Sequence, residues 1–309
     1  MNSYLKKVLI ISSWAPPAIG GPQNLYNLLR DFPEDSYCLL TSFYNIDNQS
    51  AKTGNWLKGK YIFYDNPAAS GQFQSNPEIT KEKSSRLILN KLKHLVKRSR
   101  ILGALGGIFI MFSQIIMIIR TGKNSLQTEK IETMLGISDY GPAMIATYFL
   151  HKITKKPYSV FLFDLYKDNF YPVFPAGFLA KIFESKIFKK AEKIIVTNDG
   201  TLNYYTKEYG KEISKKITVI YNSTFPEPYL NLQTEYYPKP PYTILYTGRI
   251  GWPQIRSLKN LIKAIEQIQD IDINLKIYCP NPKDYLEKLG IRETEKIKIL
   301  TAPPQKMPE

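Results

Sequence analysis

Cysteine is nearly missing from this 309-residue chain, with only Cys38 and Cys279 present. Two thiols so far apart exclude a disulfide framework and a cysteine-based zinc site. They fit a reducing cytosol and are expected as packed apolar side chains. Histidine is as scarce. His94 and His151 each lie beside a lysine in a helical context with no second ligand nearby, so both read as solvated or packed side chains, and no metal site is expected. Acidic residues are outnumbered, 27 against 42 Lys and Arg, and the formal charge of +15 asks for an anionic partner: nucleic acid, an anionic membrane surface or a phosphorylated small molecule. No zinc-finger spacing, RNP-like aromatic strand or basic zipper accompanies that charge, so no nucleic-acid partner is expected. A cleavable leader is also lacking. "MNSYLKKVLIISSW" ends its short apolar run in Trp-Ala-Pro-Pro without a small-residue cleavage site, and reads as a first strand.

What is present is an alternation of apolar runs, dense in β-branched and aromatic residues, with longer helical patterns. That is the sequence form of a parallel α/β sheet covered on both faces. Strands are expected at 7–12, 37–41, 131–138, 158–163, 193–197 and 217–221, and helices at 22–30, 141–153 and 178–190. After a proline-rich linker at 226–241 the alternation restarts, with strands at 242–247, 273–279 and 296–300 and helices at 258–269 and 283–289. The first domain is therefore read as residues 1–225, with a helical insertion at 81–123, and a second domain as 242–309. Three strands make only about half of a doubly wound domain. The closing "QKMPE" reads as the first turn of another helix, so a truncated gene is the expectation.

The stretch "SSWAPPAIGGPQNLYNLLR" places Gly20 and Gly21 between a strand and a helix started by Pro22. Proline is pre-set for a first helical turn, and glycines ahead of it let a phosphate approach unpaired backbone N–H groups. The spacing is neither G-x-G-x-x-G nor a Walker loop, and a tight turn serving backbone geometry alone remains the other reading. In the second unit "YTILYTGRI" ends a strand at Gly248-Arg249, and Arg256 and Lys259 stand at the expected entrance of a helix, where cations can hold a diphosphate leaving group.

These pieces, "KVLIISSWAPPAIGGPQNLYNLL", "KIFKKAEKIIVTNDGTLNYYTKEYG", "KITVIYNS" and "ILYTGRI", resemble the family 4 retaining glycosyltransferases, whose GT-B fold has two Rossmann-like domains. The resemblance implies two doubly wound parallel-sheet domains, the second incomplete. It also implies transfer of a sugar from a nucleoside diphosphate sugar, with retention at the anomeric carbon, to a polysaccharide or lipid-linked acceptor. The donor is then a substrate, and no cofactor is implied. Gly20 and Gly21 would face its diphosphate across the cleft, and Arg249 matches the family's phosphate-binding arginine. The family's following lysine would fall near Gln254, so Arg256 or Lys259 would substitute.

Where the family often has a histidine after the strand "YSVFLF", this chain reads "FDLYKDN", with Asp164 in its place as the candidate catalytic group; a helix or turn cap is the other reading. Ser138 and Asp139 point to the same rim of the sheet, or cap the helix near Pro142. Trp14 either stacks on an acceptor or anchors its loop in the core. The family's glutamate pair, seven residues apart, would lie beyond Glu309, which implies weak donor binding by this chain alone. The rival reading is a non-catalytic remnant acting as an acceptor-binding or membrane-surface module.

Charge is concentrated in the insertion. From Lys81 to Lys130 there are eleven basic and two acidic residues, Glu82 and Glu129. "KLKHLVKRSR" leads into the nearly uncharged run 101–119, which is long enough to span a membrane. A single span would part strands that must share one sheet. Two readings remain: an interfacial helix with Lys91, Lys93, Lys97, Arg98 and Arg100 at anionic headgroups, or a helix buried against the first domain. The expected place is the cytoplasm, either free or peripheral on the inner face of the cell membrane.

Overall fold

The structure is a computed structural model. It describes residues 6–18, 20–46, 55–73, 100–139, 141–169, 175–223 and 239–300, with the backbone alone at 100–104, 252 and 253. Lys91, Lys93, Lys97, Arg98 and His94 lie outside the described residues, and Arg100 opens a helix. The chain divides into two compact units, Met1–Thr224 and Phe225–Glu309.

In the first unit the strands are β1 (Val8–Ile11), β2 (Tyr37–Thr41), β3 (Lys60–Phe63), β4 (Thr133–Ile137), β5 (Tyr158–Leu162), β6 (Ile194–Val196) and β7 (Ile217–Val219). They form one sheet in the order β3-β2-β1-β4-β5-β6-β7, and every pairing is parallel. This is the doubly wound order, which steps one way from β1 to β3 and then reverses to β4. Side chains alternate across it. Leu9, Ile11, Cys38, Leu40 and Ile62 pack on one face, whereas Ile10, Leu39, Tyr61, Phe63, Ile137 and Phe161 pack on the other. Burial on both faces is why these strands read as continuous apolar runs.

The helices of this unit are α1 (Gly21–Leu29), α2 (Arg100–Thr128), α3 (Ala143–Thr154), α4 (Ala176–Lys190), α5 (Asp199–Tyr209) and the short α6 (Lys211–Ser214). Residues of α2, α3, α4 and α5 share the core with the first face of the sheet, and Leu25 of α1 belongs to the second. The expected strands and helices are present with ends shifted by a few residues, except at α7 below. Strand β3 and helix α5 were not anticipated. Helix α5 has little apolar periodicity. Its true signals are its ends: Asn198 Oδ1 accepts from Thr201 N at 2.8 Å, and Gly210 closes it at φ 75°.

The burial expected of the insertion is found along one side of α2. Met111, Ile115, Ile118 and Leu126 are buried in the core, and Gly122 lies so close to its neighbours that a Cβ there would come 2.7 Å from Leu150 Cδ1. Leu105, Phe109, Phe112 and Ile116 are exposed on the same helix.

The second unit holds β8 (Tyr242–Thr247), α7 (Trp252–Gln267), β9 (Ile273–Tyr278), α8 (Lys283–Lys288) and β10 (Ile297–Leu300). Its sheet is parallel in the order β10-β9-β8. Leu258, Ile265, Leu275, Ile277, Leu286 and Ile297 are among the residues of its own core. Cys38 and Cys279 are buried thiols outside any disulfide, one in each unit, and burial pushes the Cys38 thiol up to about 11, which keeps it protonated and unreactive.

Candidate functional site

In an open parallel sheet, ligands gather at the carboxyl ends of the strands where the strand order reverses. Here that point lies between β1 and β4. The residues leaving β1 are Ser12 and Ser13, and those leaving β4 are Ser138 and Asp139. Asp139 joins the two loops. Its Oδ2 accepts from the Ser13 backbone N–H and lies 3.5 Å from Ser12 Oγ, and its Oδ1 accepts from Gly141 N at 3.1 Å. Burial raises its pKa from the ordinary carboxylate range to about 6, partly offset by the hydrogen bonds from Ser13 and Gly141. The capping role expected for Ser138 and Asp139 is not what they do. Helix α3 follows Pro142 with no side-chain cap among the described residues, because both polar groups are already engaged: Asp139 with Ser13 and Gly141, Ser138 Oγ with Phe163 N at 3.0 Å.

A small cavity opens beside them, lined by Ser138, Asp139, Gly141, Tyr166, Asn169 and Ala180 among others. Its room suits a single hydroxyl or water rather than a sugar ring. The Tyr166 hydroxyl is buried there without a hydrogen-bond partner among the described residues, and burial and the Asp139 charge both raise its pKa.

The loop carrying Tyr166 is held from below. Tyr166 N donates to Tyr205 Oη at 3.0 Å, and Lys167 N donates to Glu184 Oε2 at 2.9 Å. Glu184 is fully buried on α4 and also accepts from Tyr209 Oη at 2.5 Å. Glu184, Tyr205 and Tyr209 therefore set the loop after β5. Sequence reasoning missed them because a lone Glu inside an amphipathic helix reads as solvated. Asp164, on the same loop, is exposed and has no hydrogen-bond partner among the described residues, so it caps nothing; partial burial of its carboxyl raises its pKa.

The glycine turn leads into α1 at the same edge of the sheet. Gly20 has φ 94°, a backbone conformation glycine tolerates and other residues resist. A Cβ on Gly21 would fall 2.8 Å from Phe163 Cδ2, so its bareness lets α1 start against the end of β5. Among the described residues no side chain caps α1. Trp14 is 43% exposed, which rules out the core-anchoring role and leaves its ring at the surface near this turn.

In the second unit β8 leads to Gly248 at φ 134°, exposed Arg249, Gly251 and then α7. Asn281, after β9, locks this loop from both sides: its Oδ1 accepts from Ile250 N at 2.7 Å and its Nδ2 donates to Ile250 O at 2.9 Å. Nothing in the sequence marked Asn281, whose role depends on β9 pairing beside β8. Helix α7 starts at Trp252, six residues before the expected 258, because Gly251 and Pro253 open it and Gln254 Oε1 accepts from Gly251 N at 3.1 Å. Arg256 and Lys259 consequently sit inside the helix and not at its entrance. Lys259 lies ~10 Å along the axis from the first residue and runs toward Gly290, where a Cβ would be 3.6 Å from its Nζ. Of the three expected cations, Arg249 alone is on the loop leaving the strand.

No protein-family model matches the chain, and no curated protein matches it in sequence. Solved structures do match in shape. The UDP-GlcNAc 2-epimerase of Neisseria meningitidis, bound to UDP-GlcNAc, is 14% identical with a TM-score of 0.51, over 96% of this chain and 72% of that one. A Listeria monocytogenes protein assigned as a UDP-N-acetylglucosamine 2-epimerase is 13% identical with a TM-score of 0.50, over 96% and 69%. MurG of Acinetobacter baumannii is 11% identical at 0.48, over 96% and 66%. With the strand orders above, the fold class is α/β of GT-B type, with a seven-stranded parallel sheet and a second parallel sheet in one chain.

Proposed function

We propose that the chain is a glycosyltransferase that moves a sugar from a nucleoside diphosphate sugar to a polysaccharide or lipid-linked acceptor, with retention at the anomeric carbon. The observation that carries this reading is a device present in both units. The loop after a parallel strand carries a glycine at positive φ, Gly20 nine residues beyond β1 or Gly248 directly after β8, and a helix with proline in its first turn, Pro22 or Pro253, follows. A helix start of this kind presents backbone N–H groups and a partial positive charge to an anion. In the second unit exposed Arg249 adds a guanidinium suited to a diphosphate. The fold is also that of the Neisseria protein solved with UDP-GlcNAc, which supports a nucleotide sugar as ligand.

In this reading the C–O bond to the leaving phosphate breaks, a bond to the acceptor oxygen forms, and the acceptor's hydroxyl proton passes to the departing phosphate. Asp164 faces the developing positive charge on the sugar. Asp139 is a positioning residue that ties the loops after β1 and β4.

Calorimetry with UDP, GDP and their sugars on the 309-residue chain, followed by product analysis, tests the reading. Arg249→Ala should weaken diphosphate binding by ~10-fold to ~100-fold. Asp164→Asn should leave that affinity in place and lower transfer by at least ~100-fold. Absence of nucleotide binding, or interconversion of UDP-sugars without transfer to any acceptor, would overturn it.

A further inference from the structure

Helix α2 carries two apolar stripes. The buried one is Met111, Ile115, Ile118, Gly122 and Leu126, at helical spacing. The other, Leu105, Phe109, Phe112 and Ile116, lies ~110° around the helix at ~100° per residue, and its members are 58%, 76%, 49% and 47% exposed. A folded chain seldom presents two phenylalanines and two aliphatic residues in one exposed row without something that covers them. By length and composition Leu105–Thr128 would cross a bilayer. Topology forbids it: α2 joins β3 to β4, and both belong to the same sheet, while Ile118 and Gly122 are packed on the core.

The surroundings identify the cover. From Lys83 to Thr128 there are nine Lys and Arg and no Asp or Glu, and Lys91, Lys93, Lys97, Arg98 and Arg100 directly precede the exposed stripe in the chain. An apolar row flanked by cations matches an anionic lipid surface, where acyl chains take the ring side chains and headgroups take the charges. We infer that the exposed stripe of α2 docks the first unit on an anionic bilayer, lying in the interface rather than crossing it. This surface stands on the packing of α2 and on charge, and does not depend on the sugar chemistry proposed above.

Flotation of the full 309-residue chain with vesicles tests it. The protein should float with phosphatidylglycerol–phosphatidylcholine vesicles and remain below with phosphatidylcholine alone, and the bound fraction should fall as salt rises. The pair Phe109→Asp and Phe112→Asp should reduce the floating fraction at least ~10-fold while circular dichroism shows an unchanged melting transition, since both side chains are exposed. Lys97→Glu with Arg98→Glu should reduce it as well. Failure of the wild type to float with anionic vesicles, or flotation of the Phe109/Phe112 variant at the wild-type level, would overturn the inference. So would a wild-type dimer in light scattering that this variant disperses, without flotation.

Discussion

Asp139 shows how one carboxylate is placed by backbone rather than by a cation. It receives N–H groups from Ser13 and Gly141, yet burial dominates and holds its pKa near 6. A folded-state pKa above the unfolded value means the native state binds the proton more tightly. The associated stability is fully present below pH ~4 and is lost as pH rises through ~6. Relative to Asp139→Asn, whose amide does not titrate, the wild type should lose up to roughly 3 kcal/mol of unfolding free energy between pH 4 and 7. Urea titrations of both proteins at pH 4, 5, 6 and 7 measure this. A difference that stays flat with pH would show that the carboxyl titrates normally. The two glycines of the first turn are separate cases at this scale: Gly20 answers to its φ, Gly21 to the Phe163 ring.

At the scale of elements, α2 and the loop after β5 are the informative pieces. The helix is bound to the sheet along one stripe only, so its two apolar rows should respond differently to truncation. Ile118→Ala removes a fully buried side chain and should cost about 2–5 kcal/mol. Phe112→Ser, at an exposed position, should change stability by less than ~0.5 kcal/mol. Denaturant midpoints for the two variants decide the matter, and equal losses would mean that the outer row is covered within the folded chain. The loop after β5 is fixed by acceptors from three other elements: Ser138 after β4, Glu184 on α4 and Tyr205 on α5. Asp164 thereby rests on a well-held backbone while its own side chain is left without a bond among the described residues.

For the whole molecule, the two units each own a core. The cluster around Leu275 and Ile277 is made entirely of second-unit residues, and those around Leu9 and Ile10 of first-unit residues. Leu275→Ala should therefore lower hydrogen-exchange protection in β8, β9 and β10 by an amount equivalent to about 2–5 kcal/mol. Protection in β1 and β4 should be unchanged. Equal loss in both sheets would mean that the units unfold as one. The net charge of +15 acts at this scale too, drawing the molecule toward anionic surfaces and ligands before any specific contact forms.

Much of the architecture was legible in the residues alone. Strands buried on both faces must be apolar throughout, helices between them must be amphipathic, and that alternation reports a parallel α/β chain in any context. The glycine turns were legible for the same reason, since positive φ restricts the residue locally. Other features were settled by the tertiary structure. Glu184 is buried only because Tyr205, Tyr209 and the Lys167 backbone surround it, and Asn281 grips Ile250 only because β9 lies beside β8. Ser138 and Asp139 turn from caps into ties because β1 and β5 flank β4. Lys259 leaves the helix entrance because α7 begins earlier than its apolar pattern, and α2 is half core and half surface because a sheet has room for only one side of a helix. Periodicity and turn chemistry act between near neighbours in sequence. Partners brought together across a hundred residues are chosen by the packing of the sheet.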